Sequence, residues 1–212
     1  MTQENLQICH HPLASDALRI VRDEATPSPL FRDAIHRLTV LAALEATRTL
    51  PTRSTTVQTP LVSASAEALD VRVGIIPILR AGLSMVDPVL SLIPRAEVWH
   101  LGLFRDEQTL EPVTYYSKLP EAQPVDVALV LDPMLATGGS AIAAFDKLKS
   151  WGVKDLRFLG ILAAPEGVQA VAASHPDVSL YVAALDDHLN DQGYIVPGLG
   201  DAGDRAYNAV AE

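Results

Sequence analysis

The 212-residue sequence predicts an α/β fold, a mostly parallel central sheet flanked by helices, on three observations. Apolar, β-branched runs recur at 71–79, 98–104, 125–131, 156–164 and 178–185. These runs do not alternate with polar residues, so the strands they form are covered on both faces. The stretches between them are long enough for crossover helices or hairpins, and two carry a clear helical pattern.

Taken in order, the first third reads as helical. "FRDAIHRLTVLAALEATRTL" (31–50) lacks Gly and Pro and places Ile35, Leu38, Leu41, Ala42 and Leu44 near one stripe. Pro27 and Pro29 precede it and Pro51 ends it. "PTRSTTVQTPLVSASAEALD" (51–70) is rich in Ser and Thr and reads as loops or a short edge strand. From Val71 the strand runs begin. "GGSAIAAFDKLKSWG" (138–152) is a helix with Ile142, Phe145, Leu148 and Trp151 near one face, Lys147 and Lys149 late, and Gly152 after its end. "PEGVQAVAASH" (165–175) is another, with Pro165 suited to the first turn. "LGLFRDEQTLEPVTYYSKL" (101–119) is polar and reads as a flexible arm. The tail "LNDQGYIVPGLGDAGDRAYNAVAE" (189–212) carries Gly193, Gly198, Gly200 and Gly203 and reads as an ordered, hood-like loop that lays its backbone against a ligand. The expected organisation is one domain over 1–212, with a helical part at 1–70, an α/β core at 71–185, and a loop and tail at 186–212.

Bulk properties narrow the function. The net charge of −10 argues against a nucleic-acid partner, because phosphate-backbone binding leaves a basic footprint. An anionic small molecule must then be met locally, by helix N-termini, a few arginines or a divalent cation. No apolar stretch approaches the roughly 20 residues of a membrane span, and the N-terminal sequence lacks a secretory pattern. Cys9 is the single cysteine. It has no internal disulfide partner, which points to a reducing, cytoplasmic compartment.

Four segments carry chemistry. In "LVLDPMLATGGSAIAAF" (129–145) a strand ends at Asp132 and a Thr137-Gly138-Gly139-Ser140 turn opens a helix. Exposed N–H groups, hydroxyls and a helix N-terminus make an anion cradle suited to a monophosphate, with Asp132 placed to accept sugar hydroxyls. The bland alternative is a helix N-cap with a tight turn. Neither a Walker A loop nor G-x-G-x-x-G is present. In "PILRAGLSM" (77–85) Arg80 ends a core strand, which suits an anionic ligand better than core burial does; a surface arginine paired with a carboxylate is the alternative. Arg105 and Lys118 lie on the arm and, taken alone, read as a solvated face. "GYIVPGLGDAGD" (193–204) offers open backbone with Asp201 and Asp204, able to orient a divalent cation through water, or else a Gly-rich turn with solvating acids. The six histidines lack metal spacing and Cys9 lacks a base, so all read as structural.

These segments, with "GLFRDEQTLEPVTYYSKLP", "AAPEGVQAV", "HPDVSLYVAALDDHLNDQGYIVPGLGDAGDR" and the early "HPL", resemble the uracil phosphoribosyltransferase family, of the type I phosphoribosyltransferases, in order along nearly the whole chain. The resemblance implies transfer of the 5-phosphoribosyl group from 5-phosphoribosyl 1-diphosphate (PRPP) to uracil, giving UMP and diphosphate with Mg2+ in pyrimidine salvage. It implies a PRPP loop of Asp132, Pro133, Met134, Leu135, Ala136, Thr137, Gly138, Gly139 and Ser140. It gives Arg80 and Arg105 to the diphosphate and Asp201 to the magnesium side of PRPP, and it makes Arg80, Arg105, Asp132 and Asp201 the catalytic set. A loop that turns its N–H groups to a diphosphate also predicts strained backbone near Leu79–Ala81. Uracil would lie against Ile195, Gly200, Asp201 and Ala202. The resemblance further implies a homodimer or larger assembly, with GTP as a candidate effector. Asp-Pro at 132–133, where most of the superfamily has two acids, is the uracil-enzyme form. Departures at Ser84, Pro88 and Phe104, after "HPL" and in the C-terminal "AYNAVAE" bear on subunit contacts and effector response, not on these segments. The rival readings are a phosphoribosyltransferase for another base, an RNA-binding regulator on the same fold, and a non-catalytic nucleotide binder.

Overall fold

The computed structural model describes residues 5–105, 112–117, 119–120 and 123–209. In chain order the first elements are β1 (Leu6–Ile8), α1 (Pro12–Arg22), α2 (Ser28–Thr47), β2 (Thr52–Gln58), β3 (Ser63–Leu69) and β4 (Val73–Leu79). A 3-10 turn (Ala81–Met85), α3 (Val86–Leu92), β5 (Glu97–Val98), β6 (Leu101–Arg105) and β7 (Pro112–Ser117) come next. Then come β8 (Val127–Leu131), β9 (Met134–Leu135), α4 (Gly139–Trp151), β10 (Asp155–Leu159), β11 (Leu162–Ala163) and α5 (Pro165–Ser174). The last are β12 (Ser179–Val182), β13 (Ala184–Leu185), β14 (His188–Leu189), β15 (Ile195–Val196) and α6 (Ala202–Tyr207).

The apolar runs form the centre of an eight-stranded sheet ordered β1-β12-β10-β8-β4-β6-β7, with β5 also beside β4. Every pairing in it is parallel except β6–β7. The runs are largely apolar on both faces because successive side chains feed different cores. From β8, Val127, Leu129 and Leu131 join Phe31, Ile35 and Leu38 of α2 on one face. Ala128 and Val130 join Phe145 and Leu148 of α4 on the other. Phe145 meets Phe158 of β10 edge to face at 6.4 Å, a favoured aromatic geometry.

The mostly parallel, helix-flanked sheet read from the sequence is the observed fold, and several elements differ in detail. Residues 51–70 form a full hairpin, two antiparallel seven-residue strands in a sheet of their own. Its alternate positions are at most half-buried, so it carries no core signal to betray a strand. Helix α2 starts at Ser28, with Pro27 at its cap and Pro29 inside the first turn, where the missing N–H has no partner to lose. β1 is short and gains stability from pairing with β12. The run 156–164 breaks at Gly160 into β10 and β11. The two ends of the expected arm pair as β6 and β7, while 106–111 and Lys118 lie outside the described residues.

Helix α4 ends as its sequence requires. Gly152 at φ 108° donates its N–H to the carbonyls of Leu148 and Lys149, closing the last turn. Arg157, a buried cation on β10, ties the sheet to α2. Its Nη1 donates to the Ala46 carbonyl at 2.5 Å and to Thr49, and its Nε and Nη2 grip Asp155 at 3.0 and 2.7 Å. Arg157→Leu leaves that carbonyl without its donor and Asp155 without its partner, so it should lower the unfolding free energy by about 2 kcal/mol. Urea titration checks this; an unchanged midpoint would show that the tie carries no net stability.

Candidate active site

The site begins where three neighbouring strands break together. Pro133 has no N–H to continue the ladder, and its carbonyl accepts two main-chain donors, Ile161 and Leu162, both at 3.0 Å. The Ile161 carbonyl likewise accepts from Ala183 and Ala184, both at 3.1 Å. Register is kept across each break, with Leu131 opposite Leu159 and Met134 opposite Leu162, and Leu159 opposite Tyr181 and Leu162 opposite Ala184, so the ladder is interrupted without an inserted residue. Strands β8, β10 and β12 therefore stop and resume as β9, β11 and β13, a parallel three-stranded sheet beyond their carboxyl ends.

From β9 the chain turns through Ala136–Gly138 into α4. Gly138 stands at φ 85°, a conformation side chains resist. The turn rests on α5, where a Cβ on Gly167 would lie 2.3 Å from the Ala136 carbonyl. A cavity of about 190 Å³ results, lined by Asp132 and by Met134 through Ala141. The N-terminus of the 13-residue helix α4 faces it with its partly positive end.

Asp132 follows β8 directly and accepts the Met134 N–H at 3.3 Å. Desolvation pushes its carboxyl up to about 7; the Met134 bond opposes the shift and the charge of Asp201 adds to it. Asp201, 69 positions later in sequence, is thus near enough for its charge to act on Asp132. Asp201 caps α6, accepting the Asp204 N–H at 2.8 Å. Asp204 in turn accepts Arg80 Nη2 at 2.8 Å. The Leu79–Arg80 peptide is cis, at the position where unusual backbone is expected from the sequence. A Cβ on Gly82 would lie 2.3 Å from the Leu131 carbonyl, so a glycine there lets the Arg80 turn sit against the end of β8.

Ile195 is buried on β15, which pairs with β14. Glu166 of α5 accepts the Leu189 N–H at 2.9 Å, which ties this hairpin to the helix under the glycine turn and holds the Glu166 carboxyl below its usual range. Gly200 has φ 80°, and Ala202, buried, opens α6 behind Asp201. The structure thus brings Arg80, Asp132, the 133–140 turn and Asp201 to one end of the sheet. Arg80 is an exposed arginine paired with a carboxylate, the alternative reading of this residue, and its partner Asp204 lies in the same α6 turn as Asp201. Arg105 ends β6, and its side chain lies outside the described residues.

Sequence reasoning missed Arg22, Asp186 and Arg205, which hold the 195–201 loop from behind. Arg22 and Asp186 lie 164 residues apart, so no local pattern pairs them. Arg205 stands inside a quoted motif without an assigned role. The histidines behave as structural groups where their contacts are seen: His11 caps α1, and His175 packs edge-on against Phe145. Burial, with Glu45 adding, pushes the Cys9 thiol up, away from the reactive thiolate.

Solved structures share this architecture. A hypoxanthine-guanine phosphoribosyltransferase of Bacillus anthracis superposes with a TM-score of 0.52 at 12% identity, over 76% of this chain and 79% of that one, which makes the fold that of a phosphoribosyltransferase. The structure of the AQ2163 protein of Aquifex aeolicus superposes with a TM-score of 0.92 at 34% identity, covering 98% of this chain and all of that one. Residues 8–209 match the family model described as uracil phosphoribosyltransferase. Relatives named uracil phosphoribosyltransferase are 55% identical in Roseiflexus castenholzii, over 94% of this chain and 96% of the relative, and 52% identical in Geobacillus kaustophilus, over 93% and 95%. The chain belongs to the uracil phosphoribosyltransferase family.

The raised pKa of Asp132 has a definite sign. Its folded value of about 7 exceeds the ordinary 3.8, so the protonated group favours the folded state below about pH 4, and this contribution is lost as pH rises through 7. Asp132→Asn carries no charge at any pH. It should raise the thermal midpoint most above pH 7 and least near pH 4; a midpoint difference that does not depend on pH would rule out a desolvated carboxylate. Gly167→Ala should displace the turn and cost about 1–3 kcal/mol, with weaker binding of UMP measured by calorimetry. Wild-type affinity would show that the turn does not depend on this contact.

Proposed function

We propose that this chain transfers the 5-phosphoribosyl group from PRPP to uracil, giving UMP and diphosphate in pyrimidine salvage, with each site residue holding one part of the two substrates. One observation carries the assignment of roles: a glycine-turn cavity with Asp132 on its wall, electrostatically coupled to Asp201 of the C-terminal loop. In this reading the ribose 5-phosphate lies against the N–H groups of Ala136–Ser140 and the start of α4. Pro133, Met134 and Leu135 shape the floor. Asp132 accepts the ribose hydroxyls, whose hydrogen bonds favour its charged form and draw its pKa down. Arg80 exchanges its exposed pair with Asp204 for the diphosphate, a cheap exchange because such pairs contribute little. Arg105 joins it from the end of β6. Uracil lies against Ile195 and the Gly200-Asp201-Ala202 backbone, whose fixed donors and acceptors suit its O2, N3–H and O4 edge.

The donor set fits Mg2+ delivered with the diphosphate. Among the described residues no group of three or more His, Cys, Asp or Glu side chains forms a metal cage. Two coupled carboxylates, Asp132 and Asp201, are the kind of sparse anchor that Mg2+ accepts when phosphates and water complete its shell. Asp201 would hold it through water, and when bound the ion neutralises charge on the leaving diphosphate. The chain's own contribution is positioning. Binding of the remote 5-phosphate orients the sugar, and Arg80 steadies the departing anion.

We extend the reading to a cytoplasmic homodimer or larger assembly with GTP as candidate effector. Among the described residues no helix is long and apolar enough to cross a membrane.

The deciding assay is UMP formation from uracil and PRPP, with and without Mg2+ and GTP. We expect Mg2+-dependent turnover and a preference for uracil over cytosine of about 10⁴-fold, because the wrong base leaves buried polar groups unpaired; equal rates with cytosine would refute backbone readout of the base. Asp132→Asn should raise the PRPP requirement and lower turnover about 10-fold or more, and near-wild-type kinetics would remove Asp132 from the sugar site.

A further inference from the structure

Arg22 closes α1 and Asp186 follows β13, and their side chains meet as a two-pronged pair. Arg22 Nη2 donates to Asp186 Oδ1 at 2.5 Å and Nη1 to Oδ2 at 2.9 Å, with the Asp186 side chain 3% exposed. The same atoms reach the glycine loop. Nη1 donates to the Gly198 carbonyl at 2.9 Å, and the Gly198 N–H donates to Asp186 Oδ2 at 2.9 Å. Both main-chain polar groups of Gly198 are therefore committed to one ion pair. A side chain cannot replace Gly198: at φ 63° a Cβ would lie 2.1 Å from the Ile195 carbonyl. The next residue, Leu199, gives its carbonyl to Arg205 Nη1 at 2.7 Å. Arg205 also bonds the Val21 and Asp23 carbonyls and stacks over Phe31 at 4.5 Å. The end of α1 thus holds Gly198 and Leu199, the two residues that immediately precede Gly200-Asp201-Ala202.

The Arg22 side chain stays 28% exposed while that of Asp186 is buried, and such a partly buried pair is a poor source of stability, because the desolvation cost offsets much of the attraction. Its directional, fully bonded geometry can instead specify one conformation. The cavity lined by Asp132 and Met134–Ala141 shares no residue with this network.

We propose that the Arg22–Asp186 pair is the positioning element of base recognition: by fixing Gly198 it sets where the Gly200–Ala202 backbone stands, and so governs uracil affinity and discrimination without touching the base. This rests on the reading that the 195–202 loop holds uracil. Arg22→Lys keeps the charge, but an ammonium cannot span both Asp186 oxygens and the Gly198 carbonyl in the fork that a guanidinium makes. Asp186→Asn keeps the size and loses the charge.

The test is the split between the two substrates. For both variants we expect the KM for uracil to rise roughly 10-fold while the KM for PRPP stays within about 2-fold, and the uracil-over-cytosine ratio to fall roughly 10-fold. Hydrogen exchange across 198–202 should quicken in the variants without ligand. If Asp186→Asn does not fold, Arg22→Lys decides. A folded Arg22→Lys with wild-type uracil KM and wild-type exchange overturns the proposal. So does a variant in which both KM values rise together at unchanged discrimination, which is what a purely structural pair would give. UMP added to the unsubstituted protein separates the two layers: no protection of 199–202 overturns the base-site reading itself, whereas protection with unaltered variants overturns the positioning role alone.

Discussion

Two shared carbonyls, Pro133 and Ile161, organise the functional end of the molecule. Each takes two N–H donors, so three parallel strands are interrupted on one line across the sheet. The chain beyond each interruption becomes part of the site. β9 leads to the glycine turn that lines the cavity. β11 leads to α5, whose Gly167 carries that turn and whose Glu166 ties down the β14–β15 hairpin. β13 leads to Asp186, which grips the C-terminal loop. The small sheet keeps these exits in register through bonds such as Ala164 N–H to Leu135 and Asp186 N–H to Ala163. The Asp132 N–H is the last to reach across to β10, donating to the Leu159 carbonyl at 3.2 Å, and the interruption that follows leaves a ledge for the turn.

The electrostatics invert the usual expectation for an anion-binding protein. The chain carries a net charge of −10, so no broad basic field draws an anion to the site. In the proposed reading a phosphate is then met by dipoles and N–H groups, which carry no net charge and act only at close range. The desolvated Asp132 fits the same logic. A carboxyl poised near 7 is held in reserve by desolvation and by Asp201, and partners that donate hydrogen bonds to it recover the cost.

The sheet was legible because its strands are apolar on both faces, a pattern few other structures produce. The glycine turn and Asp132 were legible because a strand end, an acid and a helix start stand within a dozen residues. The β2–β3 hairpin was not, since its polar, exposed strands bury nothing that composition can register. The break at Gly160 was hidden because Leu156 through Ala164 stays buried on both sides of it and, Arg157 apart, apolar, and only the hydrogen bonding changes. Arg22 and Asp186 were invisible for another reason. Each looks like an ordinary surface charge until the fold closes 164 residues of chain and buries the pair.

That hidden pair shows how labour is divided across the site. The end proposed to hold the sugar phosphate is built on regular elements, a strand terminus and a helix start, whose geometry derives from the core. The end proposed to hold the base is a loop with four glycines from Gly193 to Gly203, whose chain entropy alone would scatter its backbone groups. Backbone readout of a base demands fixed donors and acceptors, and such a loop cannot supply them unaided. Arginines reaching from α1 and α6, whose forked guanidiniums hold main-chain carbonyls at fixed angles, are the kind of restraint that can. If this loop holds the base as proposed, specificity at that end of the ligand depends on helices that need never contact it.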